Sequence, residues 1–319
     1  MQYIPVLILS YSYIGGEGID NISLKNYIHD KISEVRDDFS WENFDIINYH
    51  QFFKSEANNY CMRHNSEFEN ELFFESVKDK VLKYNAIFID EVQDYKIEWL
   101  RIIKRYFLAE GGEYVLFGDE KQNIYNRDLE LDKRSKTNIL GRWNELNETF
   151  RLSTKIANIA IKFQKYFFSN RYEIDEIKVI PQQTISDYEI IPNFGYYFFA
   201  NTQENYSEIY AILNDVITKS KVHPNDVCIL CTKRKTIREL DFLIRIEKNE
   251  KTEIMCETKE MNELLRDKGR EKEINNIRRN KKFHFWMNPG TIKLSTIHSF
   301  KGWEIHTLFL IIEPGFRHI

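Results

Sequence analysis

The chain is poor in cysteine, in long apolar runs and in net charge. Four cysteines in 319 residues are too few and too scattered for a disulfide framework. No apolar stretch approaches the ~20 residues needed to cross a bilayer, and the start lacks the basic-then-apolar pattern of a secretion signal. A net charge of −4 excludes a molecule that attracts polyanions as a whole. Together these absences predict a cytoplasmic protein with no membrane partner.

The cysteines also give little support for metal or redox chemistry. Cys228 and Cys231 have C-x-x-C spacing, but they lie in DVCILCTK, which is an apolar, strand-like run with no second ligand pair. Cysteine behaves in such a run as a small buried apolar residue. We therefore interpret the pair as buried thiols.

A glycine-rich phosphate loop is missing as well. No segment matches G-x-x-x-x-G-K-[ST], the loop whose backbone amides and lysine hold the β- and γ-phosphates of a nucleotide. Residues 14–18, Ile-Gly-Gly-Glu-Gly, have no Lys-Ser/Thr after them and place an acidic side chain where phosphate would lie. That charge is wrong for an anion site, so we interpret the segment as an ordinary loop.

Two apolar runs end abruptly in acidic and amide residues. IFIDEVQD (87–94) and VLFGDEKQNIY (115–125) have the pattern of buried parallel strands that deliver polar groups to their carboxyl ends. One such strand end alone is as well explained by a solvated loop. Two of them, separated by a helical stretch, predict that Asp90 and Asp119 end neighbouring parallel strands with carboxylates within about 10 Å.

These motifs resemble those of superfamily 1 helicases of the UvrD/Rep type. DEVQD is similar to the family's Walker B motif, and GDEKQNIY is similar to its glutamine sensor. Three further segments agree in order and spacing: INYHQFF (47–53), TFRLSTKIANIA (149–160) and STIHSFKGWEIHTLFL (295–310). The last of them matches T-x-H-x-x-K-G-x-E, so the resemblance covers nearly the whole chain.

The resemblance implies ATP hydrolysis with Mg²⁺, coupled to movement along single-stranded or partly duplex DNA, with RNA as an alternative. Asp90 would hold Mg²⁺, and Glu91 would be the general base for the attacking water. Gln122 would couple the γ-phosphate to the strand-binding face. Arg151, from the second lobe, would stabilise the developing charge as an arginine finger.

The same resemblance implies the other site residues. Asp119, Gly302 and Glu304 would lie with Asp90 around the nucleotide, with Glu304 at the ribose. The side chains that would face the nucleic acid, one of them by base stacking, are His50, Tyr125, Thr296 and His298.

The expected fold class is α/β, a P-loop NTPase-like pair of RecA-like lobes with parallel sheets. The first lobe is expected at 1–148 and the second at 149–319, with a hinge near 142–150. Strands are predicted at 4–10, 43–48, 86–90, 113–118, 196–200, 226–231, 252–256, 291–295 and 306–312. Helices are predicted at 20–36, 68–83, 96–108, 153–169, 203–220, 235–248 and 259–279.

Two family motifs are absent, namely the phosphate loop and the final arginine motif. We therefore expect both lobes to be incomplete at the chain ends, with the missing helicase segments truncated or supplied by a fused or partner protein. Two functions remain open. The chain is part of an ATP-dependent helicase, or it is a catalytically inactive helicase-like protein that binds or regulates nucleic acid.

The run from Lys259 to Lys282 is rich in lysine and arginine but is broken by several glutamates. Such a run usually forms a solvated helix with many salt bridges, which is the interpretation we favour. The alternative is a face that tracks phosphates, because Phe283, Phe285 and Trp286 follow directly and single-strand binders combine cations with aromatic rings.

Overall fold

A computed structural model gives the fold of this protein. It describes residues 5–10, 22–35, 40–64, 67–122, 129, 135–139, 143–149, 152–172, 174, 176–180, 194–199, 205–267, 269–301 and 303–313. The chain divides into two compact units. The first takes in β1 (Val6–Ser10) and the chain from Ser40 to Tyr197, and the second takes in α1 (Ile22–Val35) and the chain from Phe198 onward. This division lies further along the chain than the expected lobe boundary at 148, which stays a prediction.

The first unit is built on a parallel sheet of four strands. Its order is β2-β1-β3-β4, with β2 at Phe44–Asn48, β3 at Tyr84–Ile89 and β4 at Leu108–Leu116. The central strands are apolar because a parallel sheet is covered on both faces. All four strands run in the same direction, so their carboxyl ends meet at one edge.

The first unit contains two helices whose formation the local sequence explains. Helix α2 (Tyr49–Asn59) begins where the Asn48 side chain accepts the backbone N–H of Gln51 at 3.0 Å. Helix α3 (Ile97–Phe107) has apolar residues at helical spacing on one side and basic residues in its last turn, which favours helix formation. The buried α3 residues are Trp99, Leu100, Ile102, Ile103, Tyr106 and Phe107.

Among the described residues, the first unit also contains a helix and a pair of short strands. Helix α4 (Thr154–Phe167) is capped at its N-terminus by Ser153, whose hydroxyl accepts the N–H of Ile156 at 3.4 Å. Strands β5 (Glu148–Thr149) and β6 (Lys178–Val179) form a two-stranded parallel pair.

The second unit contains another parallel sheet of four strands, in the order β10-β7-β9-β8. These strands are β7 (Val227–Cys231), β8 (Thr252–Ile254), β9 (Ile292–Thr296) and β10 (Thr307–Ile311). Besides α1, the described helices of this unit are α5 (Tyr206–Ser220), α6 (Arg234–Phe242), which continues into a π-helical turn, α7 (Lys259–Arg266) and α8 (Glu271–Phe283). Strands alternate with helices in both units, so the fold is mixed α/β with parallel sheets, as predicted.

Three predicted elements differ from the structure. The helix predicted at 68–83 is wrong, because this stretch is a series of turns around a short 3₁₀ helix at Glu75–Val77. The Asn70 side chain accepts the N–H of Leu72 at 3.0 Å and competes there with helical hydrogen bonding. The helix predicted at 259–279 is divided into α7 and α8, and Gly269 lies between them at φ +65°.

The strand predicted at 196–200 is also wrong over its described part, because residues 194–199 have no regular structure. Their large rings carry little packing, and the side chains of Tyr196 and Phe198 are 79% and 76% exposed. Without a partner strand, β-forming residues do not make a sheet.

Within the described ranges, no helix is long and apolar enough to cross a membrane.

Gly118 follows β4 and allows a close approach between two loops of the first unit. A Cβ atom there would lie 2.7 Å from Val92 Cγ1 and 2.9 Å from Gln93 Oε1. We expect Gly118→Ala to lower the free energy of unfolding by about 1–3 kcal/mol through overpacking. Urea denaturation measures this, and exposed Glu110→Ala is the control, with a change within about 0.5 kcal/mol. Equal stability of the two variants would contradict the packing described here.

Candidate functional site

The carboxyl end of the first sheet brings two of the predicted acidic residues together. Strands β3 and β4 are parallel neighbours, and Ile89 is aligned with Leu116. Asp90 follows β3 directly, and its N–H donates to Leu9 O at 2.9 Å, while the N–H of Phe117 donates to Ile89 O at 2.8 Å. The prediction that Asp90 and Asp119 end neighbouring parallel strands is confirmed, and the separation of about 10 Å between their carboxylates stays a prediction.

Glu91 has an unusual backbone conformation. Its φ of 55° lies in the left-handed region, which costs a residue other than glycine of order 1 kcal/mol. Three hydrogen bonds hold the turn: Glu91 N–H donates to Asp90 Oδ1, Val92 N–H to Phe117 O, and Asp94 N–H to Glu91 O, each at 2.9 Å. Held backbone strain of this kind is concentrated at functional sites.

The side chain of Gln93 joins the two strand ends. Its amide nitrogen donates to Glu91 Oε2, and its amide oxygen accepts the N–H of Asp119 at 3.0 Å. Gln93 is 1% exposed, whereas its partners Glu91 and Asp119 are partly exposed. The carboxylate after β3 and the turn after β4 are therefore held in one arrangement by a single buried amide.

The turn after β4 presents Asp119 and Gln122 on the same side. The Gln122 side chain donates to Asp119 Oδ2 at 3.2 Å, and the N–H of Lys121 donates to Asp119 Oδ1 at 3.0 Å. Lys121 Nζ also pairs with Glu120 at 2.8 Å. Gln122 itself is exposed at the end of this short 3₁₀ turn. An exposed amide tethered to a carboxylate can meet a ligand without a change in the backbone.

The acidic residues at this edge suit Mg²⁺ more than a metal held by protein alone. Over the described ranges, no group of three or more His, Cys, Asp or Glu side chains is arranged for a metal ion. Mg²⁺ usually keeps several waters and takes only one or two carboxylates, the rest of its shell coming from substrate phosphates. Asp90, which is exposed, and Asp119, which is partly buried, are carboxylates at this edge that could hold such an ion.

The T-x-H block lies at the corresponding edge of the second sheet. Thr296 ends β9, and its hydroxyl accepts the N–H of Ser299 at 3.2 Å, which caps a short 3₁₀ helix at Ile297–Phe300. His298, within that short helix, is exposed. Glu304 is exposed in the segment that leads into β10. Thr296 is thus a cap for the segment that displays His298.

The other predicted site residues are placed differently. His50 lies in the first turn of α2, where its ring packs edge-on against Trp99 and Phe68, with centroid distances of 4.7 and 4.9 Å. It is only partly buried, so part of the ring remains able to meet a ligand. The predicted residues that lie outside the described ranges are Tyr125, Arg151 and Gly302.

A buried ion cluster in the second unit was not predicted. Glu257 lies just beyond β8 with no exposed surface, and it contacts Arg238 and Arg278 at 2.7 Å. Burial acts to raise the pKa of Glu257, but the hydrogen bonds from Arg278 and its charge outweigh burial, and the pKa is lowered. The cluster fastens α6 and α8 to the end of β8, close in sequence to the charged run considered above.

This cluster bears on the charged run at Lys259–Lys282. Arg278 is committed to Glu257, and Arg270 pairs with Glu273 at 2.5 Å. Lys259 pairs with Glu239 at 2.7 Å. These pairs support the interpretation of a helix with many salt bridges over that of a phosphate-tracking face.

The cysteines behave as predicted. Cys228 and Cys231 are free thiols in the fully buried strand β7. Burial raises the pKa of Cys228 to about 12 and raises that of Cys231 as well. Neither thiol is poised to react as a thiolate.

Known proteins give no assignment for this chain. No protein-family model matches the chain, and the search of curated proteins finds no significant match. The residues and their geometry therefore carry the functional interpretation.

The structural role of Gln93 can be separated from the predicted sensor role of Gln122. We expect Gln93→Leu to lower the free energy of unfolding by about 1–3 kcal/mol, because it leaves the Asp119 N–H without its acceptor. Exposed Gln122→Ala is the matched control, with a change within about 0.5 kcal/mol. Chemical denaturation of both variants measures the difference, and a Gln93→Leu protein as stable as its parent would refute the bridge.

The Glu257 cluster predicts a pH-dependent stability. A carboxyl group whose pKa is lowered on folding stabilises the fold above its unfolded pKa, and this contribution is lost as the pH falls through the folded value. We therefore expect stability to fall in acid, below about pH 4.5.

Replacing Glu257 tests the origin of that loss. We expect Glu257→Gln to cost about 3–5 kcal/mol at neutral pH, because two arginines lose their buried partner, and to flatten the acid limb of the stability curve. Thermal unfolding between about pH 3 and 7 measures both effects, with exposed Glu263→Gln as the control. An unchanged acid limb in Glu257→Gln would assign the loss to other carboxyl groups.

Proposed function

We propose that this chain is part of a helicase-like protein of superfamily 1, similar to the UvrD/Rep type, with a nucleotide site at the carboxyl end of the first sheet and single-stranded nucleic acid as its partner. In this proposal the two units are RecA-like lobes of the P-loop NTPase class. The parallel sheets of both units support it.

One observation carries the nucleotide site. Asp90, Glu91, Asp119 and Gln122 meet at one edge of the sheet, and Gln93 links the two turns that present them. Ligands of open α/β sheets bind at the carboxyl ends of the strands. A structural acidic cluster would not need a strained glutamate or an exposed amide tethered to a carboxylate.

The chemistry assigned to each residue follows from its position. Glu91 accepts the proton of the attacking water as general base, and its left-handed backbone holds it beside Asp90. Asp90 and Asp119 are the residues that would hold Mg²⁺, which supplies charge stabilisation to the phosphates when bound. Gln122 orients the water or senses the γ-phosphate. Arg151, which lies outside the described residues, enters through the family resemblance alone as an arginine finger.

Each unit, taken by itself, offers a candidate contact for a nucleic-acid strand. His50 in the first unit and His298 in the second keep surface that a strand can reach. Thr296 holds the short helix that displays His298. Tyr125 enters through the family resemblance alone, as a base-stacking residue. Gly302 and Glu304 likewise enter through the resemblance alone, at the nucleotide site.

A specific observation favours the second candidate, a helicase-like protein that binds nucleic acid without turnover. The sequence has no G-x-x-x-x-G-K-[ST] segment. Catalysis of phosphoryl transfer consists mainly of positioning and charge stabilisation. Without the backbone cradle and its lysine, the acidic edge has little to hold the phosphates in place.

We therefore expect the purified chain to hydrolyse ATP barely or not at all while it binds single-stranded DNA weakly. The binding should weaken as salt concentration rises, because counterions are released from the phosphates. A phosphate-release assay with and without single-stranded DNA measures turnover, and fluorescence anisotropy measures binding. Glu91→Gln is the control that identifies any residual turnover.

Two results would contradict this account. Robust strand-stimulated turnover that Glu91→Gln abolishes would show that the chain holds phosphates without the missing loop. Absence of any strand binding at low salt would show that nucleic acid is not a partner of this chain.

A further inference from the structure

The carboxyl-terminal end of α4 displays a group of aromatic rings to solvent. Phe163, Tyr166 and Phe167 are 43%, 81% and 58% exposed. Positions three and four residues apart lie on one side of a helix. The Phe163 and Phe167 rings have centroids 4.6 Å apart, and the Tyr166 and Phe167 rings 4.8 Å apart. The rings therefore form one continuous surface, which we call the α4 aromatic surface.

Such a surface is costly without a partner. A single exposed apolar side chain is ordinary, whereas contiguous exposed rings indicate a binding surface. The rings are also ordered among themselves, since Phe163 packs at 90° against Phe168 with centroids 5.7 Å apart. A preordered set of rings loses little conformational freedom when a flat ligand binds to it.

The charge of α4 indicates what kind of partner fits. The helix, TKIANIAIKFQKYF, contains no aspartate or glutamate. Its cations are Lys155, Lys162 and Lys165, which are exposed, and none of them is paired with a carboxylate among the residues that the structure describes. Lys162 and Lys165 lie within one turn of Tyr166. The α4 aromatic surface is thus bordered by lysine side chains, which are positively charged.

Lysine beside exposed rings favours a nucleic acid over a protein partner. Protein interfaces are enriched in aromatic residues and arginine but depleted in lysine. Single-strand binding surfaces combine aromatic rings, on which bases stack, with cations that meet the phosphates. The α4 aromatic surface has both of these features and has lysine as its cation.

The α4 aromatic surface continues into the packed part of the first unit. Phe168 packs against Tyr172, with ring centroids 5.7 Å apart. Tyr172 is 4% exposed, and burial raises its pKa; Arg171 lowers it, and the Glu120 and Asp119 carboxylates raise it further. Aromatic contacts therefore lead from the exposed end of α4 to the buried ring of Tyr172.

We infer that the α4 aromatic surface, Phe163, Tyr166 and Phe167 with Lys162 and Lys165, is a base-stacking site for single-stranded nucleic acid. The inference rests on the proposed function, because it adds a contact for the same strand. It adds a site outside the three segments that the family resemblance assigns to the strand. Bases stack on the exposed rings, and the two lysines contact the flanking phosphates.

The test measures the affinity of the full chain for a fluorescently labelled oligo(dT) by anisotropy at low salt. Loss of a stacking ring typically weakens single-strand binding by about 5- to 150-fold. We expect a loss in this range for Tyr166→Ala and for Phe167→Ala, and a smaller, salt-dependent loss for Lys162→Gln. Tyr196→Ala is the matched control, because Tyr196 is 79% exposed and lies outside this surface. The Tyr196→Ala variant should bind oligo(dT) with the parental affinity.

Two further variants separate stacking from general apolar contact. Tyr166→Leu keeps an apolar side chain without a ring and should lose affinity as Tyr166→Ala does. Tyr166→Trp keeps a ring and should retain the parental affinity, and its indole fluorescence should be quenched by oligo(dT) beyond the quenching seen in the parent. Equal thermal unfolding of all variants shows that they are folded.

Each contrary result has a separate meaning. If the parent binds oligo(dT) and the α4 variants bind it equally well, the inference is wrong while the proposed strand binding stands. If the parent does not bind at all, both fail. If the parent self-associates in sedimentation experiments, and Tyr166→Ala abolishes self-association but leaves DNA binding unchanged, the surface is a protein interface and the inference is wrong.

Discussion

The buried amide of Gln93 is the interaction on which the candidate site depends. Parallel strand pairing brings the ends of β3 and β4 to one edge, but pairing alone leaves the two following turns free to diverge. Gln93 donates to Glu91 and accepts from the backbone of Asp119, and Gly118 leaves the space that this contact needs. A polar group buried with both partners satisfied holds its neighbours in one arrangement. The strained backbone of Glu91 persists because these contacts determine it.

The second unit uses a charged cluster for the equivalent task. Glu257 with Arg238 and Arg278 joins α6 and α8 to the end of β8. Such a cluster contributes modestly to net stability, yet removal of one member is costly, since the remaining charges stay buried. The first unit therefore fixes its loop geometry with a neutral amide, whereas the second fixes its helices with ions.

The sequence predicted the parts of the site that depend on residues adjacent in the chain. An apolar run followed at once by acids identified Asp90 and Asp119 at strand ends, because burial and exposure change at a single position. Gln93 could not be recognised, since its partner is a backbone N–H that lies 26 residues further on. Helix 68–83 failed because the Asn70 side chain competes for the backbone. The charged run Lys259–Lys282 suggested salt bridges within a helix, but the partner of Arg278 is Glu257, which precedes that run.

Hydrogen exchange with mass spectrometry tests the central claim that this edge is a nucleotide site. We expect millimolar ATP with Mg²⁺ to slow amide exchange in residues 90–94 and 117–122, and Asp90→Asn to remove that protection. ATP without Mg²⁺ should protect these residues less, because the acidic edge then repels the phosphates. Unchanged exchange in both segments, with protection confined to other parts of the chain, would contradict the account.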